Sequence, residues 1–190
     1  ELQKFREFLP VDEQTPLPTL GEGNTPLVKS SSIGSQLNCE DLYFKMEGSN
    51  PTGSFKDRGM VLAVAKSLQK GKKNIVCAST GNTSASAAAY AAYCGLRATV
   101  LVSAKNVAKS KITQALAYGA RVISLDCSFD KALEFVKDIS ERYHIELVNS
   151  LNQHRIDGQK TAAFEIIEEL RGAPDYLSIP VGNAGNITAY

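Results

Sequence analysis

The chain is 190 residues long, enough for one good domain or for two small lobes sharing an interface. Its 43% hydrophobic and 22% charged content is ordinary for a globular protein, so a packed core is expected. Lys and Arg exceed Asp and Glu by only 21 to 20, which removes any electrostatic reason to expect nucleic acid or an anionic membrane as partner.

The opening residues 1–8 are charged and lack the apolar centre of a secretory signal. No run anywhere is long and apolar enough for a membrane span. Up to about Asn38 the chain carries Pro10, Pro16, Pro18 and Pro26 with a serine run at 30–32. Such a stretch cannot hold long regular elements and is expected to wrap a domain, not to form one. From Leu42 onward, short apolar runs alternate with stretches of helical period. Strands are predicted at 42–46, 74–78, 98–102, 121–125, 146–148 and 177–180. Helices are predicted at 55–68, 83–93, 109–118, 131–143 and 158–170, with Gly71, Gly95, Gly119 and Gly172 just past the ends of four of them. This alternation means a parallel sheet with covered faces, an α/β fold. The chain opens without methionine and stops at Tyr190, a few residues into a helical pattern, so a substantial C-terminal part is expected beyond it.

Cys39, Cys77, Cys94 and Cys127 form no C-x-x-C pair and no zinc-like spacing. They read as structural thiols in a reduced, cytoplasmic setting, and no metal site is expected. His144 and His154 read as structural or exposed.

Three strand-to-helix loops carry chemistry. In the first, residues 49–59, Pro51 and Gly53 make a tight turn and Ser54 is an N-cap, which sets Lys56 in the first helical turn. The positive end of the helix dipole there disfavours an ammonium ion, and a readily deprotonated amine can form imines or act as a base. A solvated surface lysine is the alternative. The second, Ala78-Ser79-Thr80-Gly81-Asn82-Thr83-Ser84, offers hydroxyls and free backbone N–H groups for an anion at a helix start, or simply ordinary capping. The third, residues 180–186, places Gly182 and Gly185 ahead of a helix. Main-chain N–H groups in such a turn can cradle a phosphate, although a left-handed turn alone also calls for glycine. A dinucleotide site lacks its spacing, which would be G-x-G-x-x-G.

Taken in this order, the loops resemble the fold-type-II, or β-family, pyridoxal-phosphate enzymes, most closely the threonine synthases. The resemblance rests on Gly23-Asn24-Thr25-Pro26-Leu27, on Pro51-Thr52-Gly53-Ser54-Phe55-Lys56-Asp57-Arg58-Gly59, on residues 79–84 and on residues 182–186. Serine and threonine dehydratases share a similar Ser-Phe-Lys-x-Arg-Gly, usually with another residue in place of Asp57, and are the rival; an inactive ligand-binding relative is a third reading. The resemblance implies two lobes, each with a mainly parallel sheet flanked by helices. Residues 1–50 and 146–190 would belong to the larger lobe and 51–145 to the smaller.

It also implies site roles. Lys56 would carry pyridoxal 5'-phosphate as an imine, Asn82 would bond its phenolic oxygen, and Gly182, Asn183, Ala184, Gly185 and Asn186 would hold its phosphate. The substrate would be O-phospho-L-homoserine. Ser79, Thr80 and Thr83 would grip its anionic ends, and Asn149, Ser150, Arg155 and Asn183 its phosphate. Lys56 would remove the α proton, the γ-phosphate would leave, and water would add at the β carbon to give L-threonine. A homodimer is usual in the family. The Ser or Thr that faces the pyridine nitrogen in the family has no match in these 190 residues.

Overall fold

The computed structural model describes residues 1–104 and 109–190. The proline-rich start holds only short elements: a 3-10 turn at Arg6–Phe8, strand β1 (Leu27–Lys29) and helix α1 (Ile33–Gln36). Leu2, Phe5 and Leu9 nevertheless reach into the main core. Strand β2 (Tyr43–Lys45) matches the strand predicted at 42–46, but it pairs antiparallel with β1 and stays outside the main sheet.

Helix α2 (Lys56–Gln69) follows, then strand β3 (Asn74–Ala78), where period-two alternation sets the layers. Ile75 and Cys77 enter the larger core, while Val76 and Ala78 enter the second. Helix α3 (Asn82–Tyr93), strand β4 (Arg97–Ser103), helix α4 (Lys109–Ala117) and strand β5 (Arg121–Leu125) continue the alternation. Ala132 and Val136 of helix α5 (Phe129–Tyr143) cover the other face of the sheet. Strand β6 (Glu146–Leu147) completes a four-stranded parallel sheet in the order β5-β4-β3-β6. The chain thus runs outward from β3 to β5, then crosses back to the far side of β3. In open α/β sheets a ligand crevice lies at such a reversal, outside the carboxyl ends of the strands. Here those ends belong to β3 and β6, which lead into residues 79–83 and 148–150.

The helix predicted at 158–170 begins earlier and is split into α6 (Gln153–Gln159) and α7 (Thr161–Leu170). Asn152 starts α6 by accepting the His154 N–H. The Thr161 hydroxyl donates to the Gly158 carbonyl at 2.8 Å, a local bond that competes with the helical ladder at the break. The left-handed residue ending α7 is Arg171, not Gly172. Residues 177–180, read as a strand, form none: no other strand lies alongside among the described residues, and Tyr176 is 94% exposed. A short helix α8 (Gly185–Ala189) follows the third loop.

Helices α2 and α6 cross almost backbone to backbone. A Cβ on Gly59 would lie 2.3 Å from the Arg155 carbonyl oxygen, and one on Gly158 would lie 2.4 Å from that of Arg58. Because both obstacles are backbone, Gly59→Ala is expected to force the helices apart and destabilise the protein by about 1–3 kcal/mol. Urea unfolding measures it; wild-type stability would show that the crossing has slack.

Candidate active site at the sheet's reversal point

The Lys56 loop is built from inside. Asn50 is buried, accepts the Gly23 N–H at 3.0 Å and donates to the Glu47 carbonyl at 2.9 Å, so the first glycine motif is tied to the lysine turn. Gly53 takes φ +80°, the left-handed geometry that closes the turn. The N-cap of α2 is Phe55, not Ser54, because the helix starts one residue later than predicted; Ser54 Oγ still accepts the Lys56 backbone N–H at 3.3 Å. The Lys56 amine lies 4.3 Å from the centre of the Phe55 ring and forms no ion pair among the described residues. Burial, and then the positive charge of Arg155, bring its pKa from the ordinary 10.5 down to about 8.

Next to it, a charge network that sequence reasoning missed anchors α2. Arg58 is fully buried. It donates to both carboxylate oxygens of Glu47 at 2.7 Å, to both of Glu165 at 2.9 and 2.8 Å, and to Glu1 at 2.9 Å. Glu165 also accepts the Asn24 N–H at 2.6 Å and pairs with Lys45 at 2.9 Å, so the first glycine motif, β2 and α7 meet here. Burial alone would raise the Glu165 carboxyl, but hydrogen bonds and charge from Arg58, with help from Lys45, hold it at about 2. No sequence pattern signals a pair more than 100 residues apart. The lysine motif includes Arg58 but marks neither Glu47 nor Glu165 as its partner.

The second loop leaves β3 and enters α3. Ser79 accepts the Gly81 N–H at 3.1 Å, and Ser84 donates to the Gly81 carbonyl at 2.6 Å. Thr80, Asn82 and Thr83 are half-buried beside them, with no side-chain hydrogen bond among the described residues. Asn149 lies past the end of β6. Its side chain accepts the Ala78 N–H at 2.9 Å and donates to the Ala78 carbonyl at 2.8 Å, extending the sheet across the crevice. That amide braces the second loop, with one of its two N–H groups given to Ala78.

The third loop closes on the same place. Asn183 donates to Ser150 at 2.7 Å and accepts the Gly185 N–H at 3.3 Å, while Ala184 adopts φ 60° ahead of α8. Asn149, Ser150, Asn183 and Gly185, with Phe129 and Leu133, line a cavity of about 400 Å³. Lys56 is not among its lining residues. Arg155 is completely buried between these features, with only one N–H spent, on the Val148 carbonyl at 2.8 Å; its Nε and Nη2 have no partner among the described residues. Burial lowers even this guanidinium, to about 10, with the Cys77 and Asp57 charges opposing. A buried charged group with unmade hydrogen bonds is costly, and such groups concentrate at sites that receive an anion.

His144 ends α5 in the left-handed conformation, and His154 sits at the start of α6 with its pKa lowered by burial. No cluster of three metal-ligating side chains occurs among the described residues. No helix of the described residues is long and apolar enough to cross a membrane.

Comparison with known proteins decides the family. The family profile described as pyridoxal-phosphate dependent enzyme matches residues 18–190. This chain belongs to that family. Threonine synthase of Halalkalibacterium halodurans is 58% identical over 189 residues, covering 100% of this chain and 53% of the relative. That of Synechocystis is 55% identical, covering 100% of this chain and 50% of the relative. The chain spans about half the length of the curated relatives it matches. Among solved structures, maize serine racemase superposes with a TM-score of 0.78 at 28% identity, covering 88% of this chain and 50% of that one.

The cofactor of the family is pyridoxal phosphate, and the donor set fits it. An amine shifted toward neutrality, an uncommitted Asn82 amide and a glycine turn free of strand pairing suit an aldehyde, a phenolic oxygen and a phosphate. Reaction of Lys56 with an amine-selective reagent is therefore expected to rise with pH through a midpoint near 8. The sign follows from the depressed pKa: the protonated, unreactive form is lost near pH 8, well below the 10.5 of an ordinary lysine. Peptide mapping after labelling at each pH reads it, and a midpoint above 10 would contradict the burial argument.

Proposed function

We propose that the chain is the lysine-bearing part of a threonine synthase that converts O-phospho-L-homoserine and water to L-threonine and phosphate. The observation that carries this reading is Arg155, a fully buried guanidinium with two uncommitted N–H positions, close enough for its charge to be felt at Lys56. A substrate with a phosphate at one end and an α-amino acid at the other suits a site with an anion receptor beside a reactive amine.

Bound pyridoxal phosphate supplies an electron sink for the charge left when a proton leaves the substrate's α carbon. In this reading Lys56 would hold the cofactor, and its free amine would be the base that takes up that α proton. Asn82 fixes the cofactor's phenolic oxygen, and the backbone of Gly182, Asn183, Ala184, Gly185 and Asn186 holds its phosphate. Ser79, Thr80 and Thr83 orient the substrate's carboxylate end. Arg155, with Asn149, Ser150 and Asn183, receives its phosphate, and Asn149 also braces the 79–83 loop. Identity of 58% and 55% to two threonine synthases across the whole of this chain supports the reading from which these assignments come. The same reading carries residues 1–50 and 146–190 as parts of one lobe and 51–145 as the other, in a cytoplasmic homodimer.

A dehydratase-like lyase of the same fold is the second reading, favoured by the likeness to maize serine racemase. Incubating the complete protein with O-phosphohomoserine and, separately, with threonine separates the two. Phosphate release matched by threonine formation supports the synthase. Formation of 2-oxobutyrate alone supports the dehydratase, and cofactor binding without any turnover supports an inactive relative.

A further inference from the structure

We propose that Asp57 is a positioning residue that locks the Lys56 turn to the start of α3, so that the reactive amine and the 79–83 loop are held as one unit. The inference rests on the reading of Lys56 as the cofactor lysine. Asp57 is fully buried one residue after Lys56. Its Oδ2 accepts the Thr52 backbone N–H at 2.7 Å, and its Oδ1 accepts the Thr52 hydroxyl at 2.7 Å and the Ser86 hydroxyl at 2.6 Å. Two of these bonds clamp the peptide just before Gly53, where the chain must turn to present Lys56. The third reaches α3 four residues beyond Asn82 and three beyond Thr83. Thr52 is held at its carbonyl as well, in the following peptide, since Lys111 of α4 donates to it at 3.1 Å.

A turn fixed from both sides cannot swing without breaking buried hydrogen bonds. Such a bond, once broken, leaves a group that water cannot reach. The geometry therefore has one consequence at the amine: loosening Asp57 lets the first turn of α2 drift relative to Asn82 and Thr83. Misplacement of a reacting group by about 1 Å lowers rates by up to ~100-fold.

The test follows the absorbance change when pyridoxal phosphate is added to the complete protein freed of cofactor. The amine and the aldehyde condense with loss of water, and borohydride trapping followed by peptide mapping locates the adduct. Asp57→Ala is expected to slow attachment about tenfold or more. Asp57→Asn is expected to recover most of the rate, because the amide can still accept from the Thr52 N–H and donate to the two hydroxyls. The pair Thr52→Val and Ser86→Ala, combined, is expected to slow it several-fold. Ser67→Ala serves as the stability control. It removes a buried bond on the same helix, from Ser67 to the Ala63 carbonyl at 2.7 Å, and is expected to lower stability while leaving the attachment rate unchanged. A folded Asp57→Ala protein that attaches as fast as wild type overturns the proposal. If that variant does not fold, a wild-type rate in the Thr52→Val, Ser86→Ala protein overturns it instead. Absence of any Lys56 adduct in the wild type would remove the cofactor reading itself, a result distinct from either.

Discussion

Arg58→Met is expected to destabilise the protein by about 3–5 kcal/mol, a thermal shift of roughly 10 °C or more. The guanidinium is the shared partner of three carboxylates, Glu1, Glu47 and Glu165, all of which it meets within 2.9 Å. Methionine fills much of the volume but leaves those carboxylates facing each other in a buried site with only Lys45 to balance them. Even with Arg58 present, burial pushes the Glu1 carboxyl up to about 7, so there is little capacity for more negative charge. The sign with pH can be checked too. Glu165 titrates below its ordinary 4.5, at about 2, so its contribution is full above pH 4.5 and is lost as pH falls toward 2. In Arg58→Met that acid-sensitive contribution disappears. Adding Glu165→Gln is expected to restore part of the stability, a non-additivity that neighbouring charges require. A loss below 1 kcal/mol in chemical denaturation would mean that the network is more hydrated than its burial indicates.

Arg155→Lys is expected to cut kcat/KM for O-phosphohomoserine by about 10–100-fold, chiefly through KM. Lysine keeps the positive charge, and with it the electrostatic part of the depressed Lys56 pKa, but it cannot present the planar fork of donors that a phosphate dianion takes. Arg155→Met should act differently. It removes the charge as well, so the midpoint for Lys56 labelling should move upward from about 8, although burial remains the larger cause. Steady-state kinetics of Arg155→Lys, read beside the labelling profile of Arg155→Met, separate anion recognition from the electrostatic influence. Unchanged kcat/KM in Arg155→Lys would assign the guanidinium a purely structural role, the bond to Val148.

Much of this architecture is legible in the sequence because it depends on local pattern. β3 and β5 lie where apolar runs end in turn residues, and α2 starts one residue from its predicted boundary because the Pro51–Gly53–Ser54 chemistry is local. The elements that departed depend on distant partners. Residues 177–180 have strand composition but no neighbour to pair with, and β2 is claimed by β1. At the split between α6 and α7 the Thr161 hydroxyl bonds the Gly158 carbonyl, a local choice that helical period does not announce.

Within the site, the family motif marks which residues matter more clearly than what each one does. Asn149 lies past the end of β6, and its amide also exchanges two hydrogen bonds with the backbone of Ala78, a contact between residues 71 positions apart. Arg58 stands in the lysine motif, but its pairing with Glu47 and Glu165 is invisible to pattern because the cluster forms only when α2, α7 and the loop after β2 pack together. The contact of Gly59 with Arg155 is likewise set by how two helices cross, not by either helix alone.

The central claim is that Lys56 is the side chain that holds pyridoxal phosphate. Reducing the complete, cofactor-loaded protein with borohydride and mapping its peptides by mass spectrometry tests this directly. The expected result is one phosphopyridoxyl group per chain, on the peptide containing Lys56, and none in Lys56→Ala. A stable adduct on another lysine, or equal labelling in Lys56→Ala, would contradict it.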